Sequence, residues 1–266
     1  MTTSASTQQW ALVTGASAGI GHAIACELAS RGWHLVLTAR RLDRLERLGA
    51  ELMTKHGTLV HPVAGDLASA QFRDELWQQA TTDRVLHMVV NNAGFGWQGQ
   101  FLDNPWASHQ GLIDLNITAL CDLSWRAGRH MRDHGTPSHI VNIASIGAWQ
   151  PVPTFALYAA SKAMVRNFTE ALAIELEKSN VAVTCVNPGG TKTDFLDVAG
   201  INLGGDWRES TMQSAQQVAA EAVDAALDGS QSVVTGVLNK LMTFGTRLVP
   251  VTVAARTAER SMAAHP

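Results

Sequence analysis

Tyr158 is the only tyrosine in the chain, and Lys162 follows it by four residues. On a helix that spacing sets both side chains on one face. An ammonium beside a phenol stabilises the phenolate and lowers a pKa that is about 10 when free. The phenol then comes closer to the pH at which a proton donor or acceptor is most effective. Ser145 precedes Tyr158 at the end of a strand-like run. There its hydroxyl can hold a substrate oxygen and stabilise charge that develops on it. Tyr-x-x-x-Lys alone is what many amphipathic helices contain; Ser145 gives the pair a partner for proton transfer to or from a carbonyl or alcohol oxygen.

A second constellation lies near the N-terminus. Thr14-Gly15-Ala16-Ser17-Ala18-Gly19-Ile20-Gly21 follows an apolar run and opens a helix. Gly15 permits a sharp turn, Gly19 lets backbone approach a pyrophosphate, and Gly21 allows close helix–strand packing. The helix N-terminus then offers free N–H groups to phosphate. About 20 residues after such glycines, an Asp or Glu marks NAD sites and an Arg accommodates the 2′-phosphate of NADP. This chain has Thr38-Ala39-Arg40-Arg41, with no acid before Asp43. Two cations there favour NADP over NAD, about 10- to 150-fold for a single charge-assisted bond.

These residues need strand ends and helix starts to hold them. Trp10 to Val13, His34 to Thr38, Leu59 to Ala64, Leu86 to Val90, His139 to Ala144 and Val181 to Val186 read as strands. Gly21 to Arg31, Arg41 to His56, Ser69 to Thr82 (Ser69 as N-cap), Pro105 to Arg132 and Thr154 to Lys178 read as helices. Alternation of this kind predicts a parallel sheet covered on both faces, a doubly wound α/β fold with ligands at the carboxyl ends of the strands.

Together these features resemble the short-chain dehydrogenase/reductase superfamily in its short single-domain form, over about residues 8 to 235. The motifs stand as Thr14-Gly15-x-x-x-Gly19-x-Gly21, Asp66, Asn91-Asn92-Ala93-Gly94, Asn116, Ser145, Tyr158-x-x-x-Lys162 and Pro188-Gly189-x-x-x-Thr193. The resemblance implies a seven-stranded parallel Rossmann sheet and hydride transfer between NAD(P) and a carbonyl or alcohol carbon. It implies that Asp66 meets the adenine, with Leu67 beside it, and that Asn92, Ala93 and Gly94 line the ribose. Pro188, Gly189, Thr191 and Thr193 would border the nicotinamide, with Ser17 and Ile20 on the phosphate side. Lys162 would bind the ribose hydroxyls, and Asn116 would help hold a water in a proton relay to it. The function expected is an NADP-preferring oxidoreductase with Tyr158 as acid/base. The alternative is an NADP-sensing binding protein without turnover.

Phe95, Trp97, Trp149, Val152, Phe155 and Phe195 follow the later strands and should line the substrate site, favouring a hydrophobic ketone, aldehyde or secondary alcohol. Asp197 to Ser210, glycine-rich, reads as a lid. Residues 1–8 read as a polar tail, 9–236 as the Rossmann domain, and 237–266 as a helical extension in place of the glycine-rich tail of many tetrameric relatives. That extension has three readings, a pocket cover, a dimer contact or a membrane-surface contact; packing or a dimer contact is favoured. A homodimer or homotetramer is expected.

Composition removes other classes. Net charge is −3 and the sequence pI is about 6.3, without the basic stripe that nucleic-acid binding needs. Cys26, Cys121 and Cys185 are odd in number and lack CxxC pairing, which disfavours a disulfide framework or zinc site. His130 and His134 lack the glutamate of a metal-binding HExxH, so no metal is expected. With no apolar leader and no spanning stretch, a cytoplasmic location is expected.

Overall fold

Each strand alternates side chains between two faces, and here both faces are apolar. In β1 (Trp10–Thr14), Ala11 and Val13 enter one core while Leu12 enters the other. Strands buried on both faces belong inside an α/β sandwich. The computed structural model describes residues 8–195, 199–200 and 212–262. In it β1, β2 (His34–Ala39), β3 (Val60–Ala64), β4 (Leu86–Asn91), β5 (Ser138–Ile143), β6 (Val181–Asn187) and β9 (Ser232–Val234) form a seven-stranded parallel sheet. Their order is β3-β2-β1-β4-β5-β6-β9. A two-residue pair, β7 (Thr191–Lys192) with β8 (Gln213–Ser214), lies outside that sheet.

On one face pack α1 (Gly19–Ser30), α2 (Leu42–His56) and α7 (Ala215–Leu227), through residues such as Ile24, Leu28, Leu45, Leu48 and Val223. On the other pack α3 (Ala70–Thr81), α5 (Leu120–His134) and α6 (Ala156–Glu175), through Leu76, Leu123, Met131 and Ala173. The Ser69 hydroxyl caps α3 by accepting the Phe72 N–H. The strand order reverses between β1 and β4, and the crevice at such a switch point is where ligands bind in open α/β sheets. The glycine turn and Asn91-Asn92-Ala93-Gly94 both emerge there.

The long helix expected over 105–132 is more complicated. It runs as α4 (Trp106–Ile113), a π-helical stretch at Asp114–Ala119, and α5 to His134. Such wide turns cluster at functional sites, and Asn116 sits in this one. Beyond β9 the chain forms α8 (Val237–Thr246) and α9 (Val251–Met262). The expected lid, 197–210, lies outside the described residues except for 199–200.

Candidate active site

Tyr158 stands in the first turn of α6, with Lys162 one turn on. The ring is gripped by Phe155 (centroids 4.3 Å apart, stacked) and Phe195 (5.5 Å). Ser145 ends β5, where its Oγ accepts the Gly147 N–H at 3.1 Å and so caps the following 3₁₀ turn, Ile146–Trp149. The same hydroxyl is close enough to the Tyr158 phenol to favour its ionised form. Lys162 is buried, its Nζ donating to the Ile143 carbonyl at 2.8 Å and lying 5.8 Å from the Tyr158 ring centre.

The electrostatics correct one expectation. Burial pushes the phenol up to about 12, against a smaller lowering by Ser145, rather than Lys162 drawing it down. Burial likewise pushes Lys162 down to about 8. Both charged forms are penalised when water is removed from both groups, and the Lys162 ammonium is aimed at a backbone carbonyl rather than at the phenol oxygen.

Asn116, almost fully buried, accepts the Phe95 N–H (3.1 Å) and donates to the Phe95 carbonyl (2.9 Å) and the Ser161 hydroxyl (3.2 Å). Ser161 in turn donates to the Tyr158 carbonyl at 2.7 Å. This amide therefore ties the segment after β4 to the helix that carries Tyr158 and Lys162. Gly94 fits between the two buried groups: a Cβ there would stand 3.0 Å from Asn116 Oδ1 and 3.5 Å from Lys162 Nζ.

At the other end of the crevice, α1 begins at Ala18 with no side-chain cap, leaving first-turn N–H groups for an outside acceptor. Gly19 adopts φ +57°, and Thr193 Cγ2 lies 3.1 Å from where its Cβ would be. The glycine turn and the 193 segment thus close on each other. Gly15 and Gly21 face Asn92, whose amide donates to the Thr14 carbonyl at 2.9 Å. Ser17 accepts from Arg41 Nη2 at 3.1 Å, and Arg40 is exposed beside it. Neither arginine is ion-paired among the described residues. Asp66 is exposed, with one oxygen accepting the Ala68 N–H at 3.0 Å. A helix N-terminus without a cap, a glycine approach and unpaired cations beside a serine fit a phosphate-bearing dinucleotide.

Some expected contacts fall elsewhere. The Leu67 side chain is core. Thr191 is buried, its hydroxyl donating to the Gly189 carbonyl. The Pro188 carbonyl accepts the Ile146 N–H. Val152, Phe155 and Phe195 gather around Tyr158, whereas Phe95 faces α4 near Gly111. Trp149 is sandwiched instead between the guanidinium groups of Arg166 (3.7 Å) and Arg247 (4.5 Å). Cation–π attraction to two arginines makes it an anchor for α8. A cleft of about 230 Å³ opens beside Tyr158; Trp97 lines it with Gln100, Asn104, His109 and Thr154. No Lys or Arg lines it among the described residues.

Other functional side chains were not singled out from sequence. Arg73 is buried; it meets Asp122 at 2.6 Å and donates to the Leu67 and Ala68 carbonyls at 2.8 and 3.1 Å. It thereby fixes the loop that carries Asp66. Thr14 Oγ1 donates to the Val90 carbonyl and accepts the Asn92 and Ala93 N–H groups. Where a Cβ on Gly189 would stand lies the amide of Asn239, from α8. A buried arginine on a helix leaves no periodic signal; Thr14, inside the glycine motif, was within reach.

Comparison with known proteins bears on this arrangement. A short chain dehydrogenase family model matches residues 9–203. Sulfoacetaldehyde reductase 2 of Chromohalobacter salexigens is 35% identical over 222 residues, 78% of this chain and 84% of that protein. The 7beta-hydroxysteroid dehydrogenase of Mediterraneibacter gnavus is 30% identical over 238 residues, 87% and 88% of the two chains. Among solved structures, a short-chain dehydrogenase from Sphingobium yanoikuyae in complex with NADPH superposes with a TM-score of 0.79 at 30% identity, covering 90% of this chain and 94% of that one. With the parallel sheet and its switch-point crevice already in place, the match settles the lineage: the chain belongs to the short-chain dehydrogenase family, NAD(P)-dependent oxidoreductases acting on alcohol and carbonyl groups.

Proposed function

We propose that the chain is an NADP-preferring reductase or dehydrogenase that interconverts a hydrophobic ketone or aldehyde and its alcohol, with Tyr158 as the acid/base. The observation that carries this reading is the phenol held between Phe155 and Phe195, with the Ser145 hydroxyl close enough to act on it and buried Lys162 one turn on. NADP, when bound, supplies or takes up the hydride.

The phenol, pushed up to about 12, is protonated at neutral pH and so ready to give its proton to a carbonyl oxygen. Ser145 holds that oxygen and stabilises the charge arriving on it. Lys162, at about 8, keeps its proton at neutral pH. Among the described residues one of its three donors is engaged, by the Ile143 carbonyl, so the others can serve the ribose hydroxyls. The Asn116 side chain is engaged by Phe95 and Ser161; a relay water would rest on its main chain. Arg40, Arg41 and Ser17 form a pocket suited to a 2′-phosphate. Asp66, Asn92, Ala93 and Gly94 bind adenosine, and Gly15, Gly19, Ile20 and Gly21 take the pyrophosphate. Pro188, Gly189, Thr191 and Thr193 flank the nicotinamide.

The two curated relatives carry names for unlike substrates, a sulfonated aldehyde and a steroid. Apolar side chains around Tyr158 support the apolar class, and among the described residues no Lys or Arg lines the cleft to supply the fixed positive charge that a small sulfonate needs. Residues 9–236 act as the catalytic domain and 237–266 as its C-terminal extension, in which Ala258 and Met262 pack on that domain.

The test is NADPH oxidation against aliphatic, aromatic and steroid-like carbonyls, with wild type and Tyr158→Phe in parallel. The variant should turn over about 10²- to 10⁴-fold more slowly while still binding NADPH. Wild-type turnover by Tyr158→Phe refutes the assignment.

A further inference from the structure

The C-terminal helices invert the usual pattern of a surface helix. In α8 the inward residues are polar: Asn239 donates to the Thr235 carbonyl, and Thr243 is 5% exposed. The large apolar side chains point outward, with Leu241 65% and Phe244 62% exposed and Leu248, just past the helix, 72% exposed. Val237, Leu238 and Met242 belong to the same face. Stepping 3.6 residues per turn, these side chains cover about half of the circumference. Lys240 falls at its border and is exposed. Outward on α9, Arg256 and Arg260 are exposed, whereas Ala254 and Ala258 face in.

Charge separates this segment from the rest of the chain. Residues 237–262 hold four cations (Lys240, Arg247, Arg256, Arg260) and one acid (Glu259), a net of +3. The whole chain is −3, which leaves −6 elsewhere. None of Lys240, Arg256 and Arg260 is ion-paired among the described residues. An apolar helix face bordered by cations is the pattern that lies in a bilayer interface, where anionic headgroups add attraction. A two-fold contact between copies would set the same patch against itself, +3 facing +3. From these observations we propose that the outer face of α8, with the basic face of α9, docks the protein on an anionic lipid surface.

The position of the helices gives such docking a consequence. Ala258 and Met262 pack into the cluster of Val152, Phe155 and Phe195 beside Tyr158. The Met262 carbonyl accepts from Gln98 Nε2 at 2.6 Å. The element that meets the lipid thus also covers the apolar side of the candidate site. The docking itself does not depend on the substrate assignment.

The test is co-sedimentation of the full chain with phosphatidylcholine vesicles and with vesicles containing phosphatidylglycerol as well. Binding should be strong only to the anionic vesicles and should fall as salt is raised. Lys240→Gln, Arg256→Gln and Arg260→Gln together should weaken it roughly a hundredfold, about fivefold per cation. Leu241→Asp with Phe244→Asp should abolish it, with NADPH binding retained as the control for folding. Solution mass without vesicles should be the same for that variant and wild type. Should the double variant fail to fold, the charge variant and the salt series still decide. No binding of wild type to anionic vesicles overturns the proposal, as does binding that both variants retain. A drop in solution mass for Leu241→Asp/Phe244→Asp overturns it too, since a second copy would then cover the face.

Discussion

Gly94→Ala probes the link between the cofactor crevice and the acid/base pair. Gly94 is not in the left-handed region, so alanine suits its backbone and the whole effect comes from the new methyl. That Cβ would stand 3.0 Å from Asn116 Oδ1, tighter than ordinary contact, and 3.5 Å from Lys162 Nζ. Asn116 must yield by a few tenths of an ångström, yet Phe95 holds it at 3.1 and 2.9 Å and Ser161 at 3.2 Å. Losing one such bond costs about 1 kcal/mol, and a buried amide left unpaired costs about 1–3 kcal/mol. The gain from restricting the unfolded chain offsets about 0.4–1 kcal/mol. A net loss of about 1–2 kcal/mol follows, lowering Tm by roughly 2–8 °C for a chain of this size. NADPH should bind about tenfold more weakly, because the Asn116 amide that gives way ties the segment after β4 to the helix that carries Lys162. Gly128→Ala in α5 is the control: its Cβ would meet Leu176 and Ile140 at 3.7 and 3.8 Å, ordinary contact, and should stabilise by up to about 1 kcal/mol. Calorimetry and an NADPH fluorescence titration read both variants. If Gly94→Ala melts with wild type and binds NADPH equally well, the packing argument is wrong.

Arg40→Ala should weaken NADPH binding about 10- to 150-fold and leave NADH binding nearly unchanged; equal losses in parallel titrations would sink the 2′-phosphate assignment. Arg73→Ala removes one partner of a buried ion pair together with two carbonyl contacts that fix the Asp66 loop. Asp122 keeps Arg126 as its partner, so the cost in urea unfolding should be about 1–3 kcal/mol, from the carbonyls left without a donor; no measurable cost would show the loop to be held otherwise. Burial lowers the pKa of His87, His130 and His139, so the fold prefers their neutral forms. As pH falls below the free value of about 6.5, the unfolded chain takes up protons first. Stability should therefore be intact above that pH and decline as pH drops through the folded values; a urea midpoint that stays flat across this range would contradict the reasoning.

The local chemistry was legible in sequence because it depends on spacing along one element. Tyr158 and Lys162 share a turn of α6, Gly15, Gly19 and Gly21 share one loop, and Arg40 and Arg41 end one strand. The parallel α/β sheet was legible too, because strand-like runs alternate with helical spacing that only crossovers can join; the count of seven strands came with the family resemblance. What crosses between elements was not. The π-helical turn at Asn116 stands where a plain helix was expected, and there the Asn116 amide bonds Phe95 and Ser161, both distant in sequence. Trp149 read as pocket lining; Arg166 and Arg247, from two other helices, claim its faces. The phenol was expected to titrate low beside Lys162, yet burial of both groups moves it up to about 12. Desolvation depends on every atom packed around a group, which no spacing rule contains. The sequence by itself determined the fold, the family and the chemical groups at hand. The tertiary structure alone decided which of those groups touch, how dry they are, and that α8 turns its apolar side outward. Burial and long-range contact are properties of the packed chain rather than of any segment in it.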